Sequence, residues 1–302
     1  MIRDPFLHVS RFTHHVSMSL IDLILNVAGL LVWLNWRSGG TDPFATGLPS
    51  TLSGTVRRAQ PVKVKRWHHL SALAALLLIR ALFYWQVGPA VNWTPKLDLF
   101  FVALTFHGAF FLPALIFSLL SFLRAFLIMY FWLLTLAAIN RRASGSDPFQ
   151  KMISLQLGRL ALWPWLAQIT LPVFVGAMLW ITLHPLLVYF SVAEQTQSNW
   201  HLILQSLLAG AGIIFSLKFL LPAFLLVHLI ASYVYLGKSP VLEFVELTAR
   251  NLLAPLNRLS LSVGKVDCAP ILAIVLVLLL LDFLPDYALL YLSRCNLTVW
   301  PR

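Results

Sequence analysis

The sequence is poor in charged residues. Asp, Glu, Lys and Arg together make up 11% of the 302 residues, whereas hydrophobic residues make up 59%. Ordinary soluble domains carry about a quarter charged residues, and a soluble core of this size has no room for so much apolar surface. The shortage of charge therefore excludes a typical soluble domain and indicates a protein whose solvent is the lipid bilayer.

Cysteine and catalytic signatures are also scarce. The two cysteines, Cys268 and Cys295, form no CxxC or Cys/His ligand pattern, so we expect neither a disulfide nor a metal site. The sequence has no HExxH helix, GxSxG turn or glycine-rich phosphate loop, and we expect no catalytic residue, cofactor or enzymatic activity. His107, His184 and His228 lie in or beside apolar stretches, where hydrogen bonding between helices is a simpler role than haem ligation.

Basic residues outnumber acidic ones by 22 to 11, which gives a formal charge of +11. In a membrane chain such an excess usually encodes orientation and affinity for anionic lipid. Stacking aromatic residues are scarce in the basic segments, so we expect no nucleic-acid partner. The expected partners are the lipid bilayer, anionic lipid headgroups and other membrane proteins.

Apolar runs predict about six transmembrane helices. One run continues without a break from Leu97 to Ile139, which is too long for a single straight helix in a hydrocarbon layer of about 30 Å. We expect one true span plus an interfacial or re-entrant part, with the break at Pro113. The other spans are expected at Met18–Leu34, Trp67–Val87, Leu160–Leu187, within His201–Tyr235, and at Pro270–Leu292.

An internal repeat separates these runs. Residues 35–44 read NWRSGGTDPF and residues 140–149 read NRRASGSDPF, with six of ten positions identical. A third copy keeps only the frame Gly237-Lys238-Ser239-Pro240. Glycine ends a helix in a left-handed cap, Asp or Ser caps the next helix, and proline occupies its first turn. The repeat-motif residues in the first two copies are Asp42, Pro43, Asp147 and Pro148.

Each copy therefore predicts the end of a membrane helix, a turn, and the start of an amphipathic helix. In the third copy the apolar residues fall at helical spacing, which is typical of a helix lying on the membrane surface. The predicted apolar positions are Val241, Phe244, Val245, Thr248, Leu252 and Leu253.

The expected architecture is an all-α polytopic membrane protein. It contains three tandem units, at residues 1–92, 93–195 and 196–302, and each unit consists of a helix, an amphipathic segment and a second helix. Most Lys and Arg residues lie in the three repeated segments, so the positive-inside rule places all three on the cytoplasmic side. Both termini are then expected outside.

Charged residues inside apolar runs are the first candidates for function, because charge is expensive within a bilayer. Arg80 and Asp282 lie at similar depths in their predicted spans, and we hypothesise that they pair near the midplane. A static packing contact, or snorkelling to the interface, competes with a role in a proton or ion path. On the cytoplasmic side, Arg250 and Arg258 are candidate contacts for lipid or a partner protein, since helix capping does not explain them.

Three short motif elements follow one another in the third copy. The first contains Gly237, Ser239 and Pro240, the second contains Pro255 and Arg258, and the third contains Gly264, Asp267 and Pro270. In these positions the third copy resembles the YggT family (YlmG-like) of small integral membrane proteins, over roughly residues 230–285. The first two copies lack the third element, and the doubled arginine usual in the second element is here Asn257-Arg258.

The resemblance implies a non-enzymatic protein of the bacterial inner (cytoplasmic) membrane. Members of the family have been tied to osmotic-stress tolerance, cell division and cofactor assembly on a plastid cytochrome, and they usually carry one or two copies of the unit. We therefore expect a membrane scaffold or an assembly or stress-response factor with a basic cytoplasmic face. The alternative is a channel or transporter for a small ion or solute that uses the charges of Arg80 and Asp282.

Overall fold

The computed structural model describes residues 5–38, 66–91, 93–99, 101–106, 108, 110–141, 148–196, 198–234, 237, 239–256, 262–263, 266–267 and 269–294. Helices account for most of these residues, and two short hairpins are the only sheet among them. The prediction of an all-α polytopic helical protein is confirmed.

Six helical segments in the described part of the chain are long and apolar enough to cross a bilayer. The predicted number of spans is therefore confirmed. The longest span is 35 residues, which corresponds to about 50 Å of helix and exceeds the hydrocarbon thickness. The spans are Met18–Ser38, Trp67–Ala90, Phe111–Ile139, Trp165–Tyr189, Asn199–Tyr233 and Ala269–Tyr287.

The chain divides into two compact units. Unit 1 comprises residues 1–98, 103–126 and 187–194, and unit 2 comprises residues 99–102, 127–186 and 195–302. The organisation into three tandem repeats stays a prediction, because this division by contacts follows packing and not sequence similarity.

Unit 1 is built on two long helices that pack on each other, α1 (Pro5–Ser38) and α2 (Arg66–Ala90). The first half of α3 (Phe111–Ile139) lies against both of them. Ser118 of α3 donates a hydrogen bond of 3.0 Å to the carbonyl oxygen of Leu77 in α2. A Cβ atom on Gly29 of α1 would lie 2.8 Å from the ring of Phe122 in α3, so this glycine permits a close approach of the two helices.

A hairpin precedes α3 and explains the long apolar run. Strand β1 (Lys96–Asp98) pairs antiparallel with β2 (Ala103–Thr105), with Leu97 opposite Leu104. Both leucines are buried while their strand neighbours are exposed, as expected for a two-sided strand. The run thus contains a single membrane-spanning helix, as predicted, and a hairpin, which was not predicted. The predicted place of the break is wrong, because the chain turns before α3 begins and Pro113 lies in the first turn of that helix.

Unit 2 contains the second half of α3 and the remaining helices, apart from the last three residues of α5. The bounds are α4 Pro148–Leu157, α5 Trp165–Tyr189, α6 Asn199–Gly212, α7 Leu217–Tyr233, α8 Pro240–Leu253, β3 Ser262–Val263, β4 Val266–Asp267 and α9 Ala269–Arg294. A 3₁₀ helix, Gly158–Leu162, links α4 to α5, and another, Ile213–Ser216, lies between α6 and α7. The two-residue strands β3 and β4 pair before α9.

The start of α8 follows the predicted frame. Gly237 has a φ angle of +79°, the left-handed conformation that favours glycine. The side chain of Ser239 accepts a hydrogen bond of 3.3 Å from the backbone N–H of Leu242, and Pro240 is the first helical residue. In the second copy, α4 likewise begins at Pro148. Both predicted helix starts are confirmed.

The apolar face of α8 contacts protein. Phe244, Val245, Thr248, Ala249 and Leu253 are buried, and the helix packs against α4, α7 and α9. The prediction of an amphipathic helix is confirmed, but its apolar face does not lie on lipid as expected. Side chains from neighbouring helices cover it, which buries the same apolar area with closer packing than lipid tails provide. Val241, one of the predicted apolar positions, is exposed.

Two glycines bring α5 and α6 into close contact within unit 2. A Cβ atom added to Gly210 would lie 2.2 Å from the carbonyl oxygen of Val173. A Cβ atom added to Gly176 would lie 3.1 Å from the Cα atom of Gly210 and 2.9 Å from the side chain of Ile213. Small residues at such crossings let helix backbones approach in a membrane, where dispersion contacts replace the hydrophobic effect as a driving force.

Candidate functional site

The strongest polar cluster in the spans centres on Arg80 of α2. Its side chain is fully buried, and its guanidinium forms an ion pair with Asp22 of α1. A second guanidinium nitrogen, Nη1, donates a hydrogen bond of 2.8 Å to Asn26 Oδ1. The rings of Tyr84 and Phe117 lie 5.6 and 5.9 Å from the Arg80 Cζ atom, within the range of a cation–π contact. The cation is therefore compensated by charge, hydrogen bond and aromatic faces.

Donors from three helices saturate the Asp22 carboxylate. Besides Arg80, the hydroxyl of Tyr84 in α2 donates to Oδ1 over 2.9 Å. The hydroxyl of Ser121 in α3 donates to Oδ2 over 2.9 Å, and Asn26 Nδ2 in α1 donates to the same oxygen over 3.3 Å. We call these five residues the Asp22 cluster: Asp22, Asn26, Arg80, Tyr84 and Ser121. A carboxylate with this many donors is held in one position.

The hypothesis that Arg80 pairs with Asp282 is wrong, because both residues have other partners. Arg80 pairs with Asp22 within unit 1, and Asp282 of α9 accepts a hydrogen bond of 3.0 Å from Lys218 Nζ of α7 within unit 2. The physical reason is adjacency: α1 packs on α2, and α7 packs on α9. Similar depth in two spans allows a pair only where the helices are neighbours.

The two ion pairs differ in burial. The Arg80 side chain is 0% exposed and that of Asp22 is 21% exposed, whereas the side chains of Lys218 and Asp282 are 30% and 53% exposed. The Lys218–Asp282 pair therefore lies at the surface of unit 2. Long side chains at such positions extend their charged ends toward the membrane interface. The buried Arg80–Asp22 pair therefore contributes more to the association of its helices than the exposed Lys218–Asp282 pair does.

Sequence reasoning missed Asp22, Asn26, Tyr84 and Ser121. The available signal was the spacing of Asp22 and Asn26, four residues apart on one face of an apolar helix. An acidic residue inside a predicted span demands a partner, and the next span in the chain contains Arg80.

A second buried network ties α8 to the end of α3 in unit 2. Asn140 Nδ2 donates to the hydroxyl of Thr248 over 2.8 Å, and Asn251 Nδ2 donates to Asn140 Oδ1 over 2.8 Å. The Thr248 hydroxyl donates onward to the carbonyl oxygen of Phe244 over 2.8 Å. Asn140 and Thr248 are 1% and 0% exposed. The buried side-chain amide of Asn140 and the buried hydroxyl of Thr248 both have hydrogen-bond partners, so the network fixes the position of α8.

The predicted lipid or partner contact Arg250 lies on the outer face of α8. Its side chain is 72% exposed and lies 3.6 Å from Glu246, one turn earlier in the helix. An exposed pair of this kind contributes little to folding stability, roughly half a kcal/mol at most. Arg250 is therefore available for a contact outside the chain. Arg258, the other candidate, lies outside the described residues.

The remaining motif residues occupy turns and helix starts. Pro255 is exposed just after α8, Asp267 lies in β4, and Pro270 is buried in the first turn of α9. These places agree with a structural role in turning the chain. The predicted motif residues Asp42, Pro43, Asp147 and Gly264 lie outside the described residues.

The histidines whose side chains the structure describes form no ligand cluster. His184 of α5 is buried with its ring 6.0 Å from that of Trp180, and His228 lies on α7. Among the described residues, no group of three or more His, Cys, Asp or Glu side chains is close enough to hold a metal ion. His107 lies outside the described residues.

Comparison with protein-family models, with curated proteins and with solved structures found no match. The likeness to the YggT family therefore rests on the motif residues in the sequence.

Proposed function

We propose that this polytopic membrane protein is a non-enzymatic scaffold or assembly factor of YggT type, located in a bacterial inner membrane. Its basic cytoplasmic face would bind anionic lipid and other membrane proteins. The observation that carries the proposal is the saturation of the Asp22 carboxylate, which accepts four hydrogen bonds, one of them from the buried Arg80.

A transport path needs polar groups that exchange partners with an ion or with water. In the cluster, both carboxylate oxygens of Asp22 already accept two hydrogen bonds each, and Arg80 has no exposed side-chain surface. Such an arrangement supports a fixed tie between α1, α2 and α3. Breaking it for each transported ion would cost several kcal/mol, since it would leave a buried charge without its partner.

The second observation that supports the proposal is that one face of α8 is packed against unit 2 while the opposite face is exposed. The Asn140–Thr248 hydrogen bond and the buried Phe244 and Leu253 side chains hold one face of the helix against unit 2. The opposite face carries Arg250 in an exposed position. The same face carries Glu243 and Glu246, so it presents charges of both signs. A rigid helix with such a face loses little conformational entropy on binding, which suits a docking surface for a partner protein.

Photo-crosslinking in native membranes tests the scaffold. The Arg250→p-benzoylphenylalanine variant should form one discrete adduct with a second protein. The matched variant at exposed Lys96, in the hairpin of unit 1, should form none. Equal adduct patterns at both positions, or no protein adduct at Arg250, would overturn the proposal.

The alternative function is a channel or transporter for a small ion or solute. The observation in its favour is the presence of ion pairs inside two pairs of spans, Asp22–Arg80 and Lys218–Asp282. Charged residues in membrane helices often mark ion or proton routes. Ion flux in vesicles containing the purified protein separates this alternative from the scaffold, which predicts no flux above that of empty vesicles.

A further inference from the structure

The segment between the third and fourth spans carries a stripe of exposed cationic and apolar side chains. Lys151 and Leu155 lie one turn apart on α4, and Arg159 follows in the 3₁₀ helix that begins at Gly158. All three are exposed, and Leu155 is 63% exposed. Leu162 and Trp163 continue the stripe, with exposures of 82% and 43%. We call these five residues the α4 stripe.

The other side of α4 is fixed to unit 2. Ile153 and Leu157 are buried in a cluster with Leu134 of α3 and Phe244 of α8. Gln168 in the first turns of α5 is 1% exposed, and its Nε2 donates to the carbonyl oxygens of Leu160 and Ala161 over 3.2 and 3.0 Å. The stripe is thus held in a fixed orientation relative to the span that follows it.

The adjoining spans place the stripe at a membrane boundary. The span in α3 ends at Ile139, and the next span begins at Trp165, so the intervening segment starts and ends at one face of the bilayer. Trp163 and Trp165 lie at the start of that span, where tryptophan is enriched because its ring suits the headgroup region. Exposed leucines beside them would face acyl chains, while the cations would face phosphates.

We infer that the α4 stripe is a binding site for anionic phospholipid, with Lys151 and Arg159 contacting headgroup phosphates and Leu155 and Leu162 inserted among the upper acyl chains. The inference rests on the proposed function in that it names the lipid partner of the same basic face. Charge complementarity selects the ligand class: a zwitterionic leaflet satisfies the leucines and Trp163, but it provides no net negative charge for the two cations. If this surface faced water alone, the apolar side chains of Leu155 and Leu162 would stay exposed and would gain no free energy from burial.

Quenching of a bimane probe by brominated lipids tests the site in the full-length protein. The probe is attached to Leu155→Cys in a background with Cys268→Ser and Cys295→Ser. The protein is reconstituted in vesicles made of phosphatidylcholine and phosphatidylglycerol in equal mole fractions. In one preparation the phosphatidylcholine is brominated, and in the other the phosphatidylglycerol is brominated. We expect brominated phosphatidylglycerol to quench at least about fivefold more than brominated phosphatidylcholine, since a single cation near an anionic surface favours the anionic lipid by roughly this factor.

Charge reversal then assigns the preference to the two cations. Lys151→Glu/Arg159→Glu should abolish the difference between the two lipids, while Lys151→Arg/Arg159→Lys should retain it. Lys96→Glu, an exposed charge reversal in the hairpin of unit 1, should leave it unchanged. Equal quenching by both brominated lipids in the protein without charge reversal would contradict the anionic site. Quenching of the probe by aqueous iodide, with no quenching by either brominated lipid, would also contradict it. Neither result would alter a protein adduct at Arg250, so failure of this inference is distinguishable from failure of the scaffold.

Discussion

The guanidinium of Arg80 in α2 donates to the carboxylate of Asp22 in α1, and this pair joins two spans of unit 1. The pair does not stand alone, because Tyr84 and Ser121 also donate to the carboxylate. A buried charge pair is costly to form, but once formed it is far more costly to break by removing one partner. The Asp22 cluster therefore fixes how α1, α2 and α3 are arranged.

Asp22→Asn should strongly destabilise the protein. The substitution leaves the buried guanidinium of Arg80 without a counter-charge, and we expect a loss of about 3–5 kcal/mol. The measurement is the free energy of unfolding in mixed micelles titrated with sodium dodecyl sulfate. Asp22→Asn/Arg80→Met should recover more than half of the loss, since it removes both charges.

Asp282→Asn is the matched control for that substitution. It also removes the acidic partner of an ion pair, but the Asp282 side chain is 53% exposed and Lys218 can reorient. We expect a clearly smaller loss than for Asp22→Asn. Equal losses would show that burial does not distinguish the two pairs.

Thr248→Val should weaken the attachment of α8. The substitution keeps the shape of the side chain but removes the hydroxyl, which leaves the buried Nδ2 of Asn140 without its acceptor. The expected loss of unfolding free energy is about 1–3 kcal/mol. Thr248→Ser retains the hydroxyl and should lose less. The opposite order would contradict the assigned hydrogen bond.

Gly210→Ala should separate α5 from α6. Its Cβ atom would lie 2.2 Å from the backbone carbonyl oxygen of Val173, so a helix backbone must move, at an expected cost of about 1–3 kcal/mol. Gly176→Ala should cost less, because the nearest atom is the movable end of the Ile213 side chain. Gly88→Ala, whose nearest neighbour is 3.7 Å away, should be neutral or slightly stabilising. Thermal unfolding in detergent ranks the three.

Local structure was predictable from the sequence at positions where a residue type has one main structural role. The helix start at Ser239 and Pro240 follows from capping and from the fixed φ angle of proline. The six spans follow from length and hydrophobicity. Both signals are contained within a short stretch of chain.

The ion-pair partners of the charged residues were less predictable, because they depend on which helices are neighbours. Arg80 had acidic candidates at comparable depth in two spans, and packing of α1 on α2 decides for Asp22. The β1–β2 hairpin was missed for a related reason. Its residues are as apolar as those of a membrane helix, and the alternation of buried and exposed positions extends over only three residues per strand.

A topology map tests the predicted repeat. Impermeant labels or reporter fusions after Gly40, Gly145 and Gly237 should all report the cytoplasmic side, because the basic segments favour that side and an even number of spans separates successive copies. A reporter after Thr94, in the connection before β1, should report the opposite side. If the reporters at the three glycine positions did not all lie on the same side of the membrane, the prediction of three copies in the same orientation would be wrong.

We propose that the Asp22–Arg80 and Lys218–Asp282 pairs are structural ties between spans and not steps of an ion path. The direct measurement is proton flux into pyranine-loaded vesicles that contain the purified protein, driven by a potassium gradient with valinomycin. If the pairs are structural ties, the rate of proton flux should equal that of empty vesicles. A rate above that of empty vesicles that Asp22→Glu lowers, while the folded fraction stays unchanged, would contradict it.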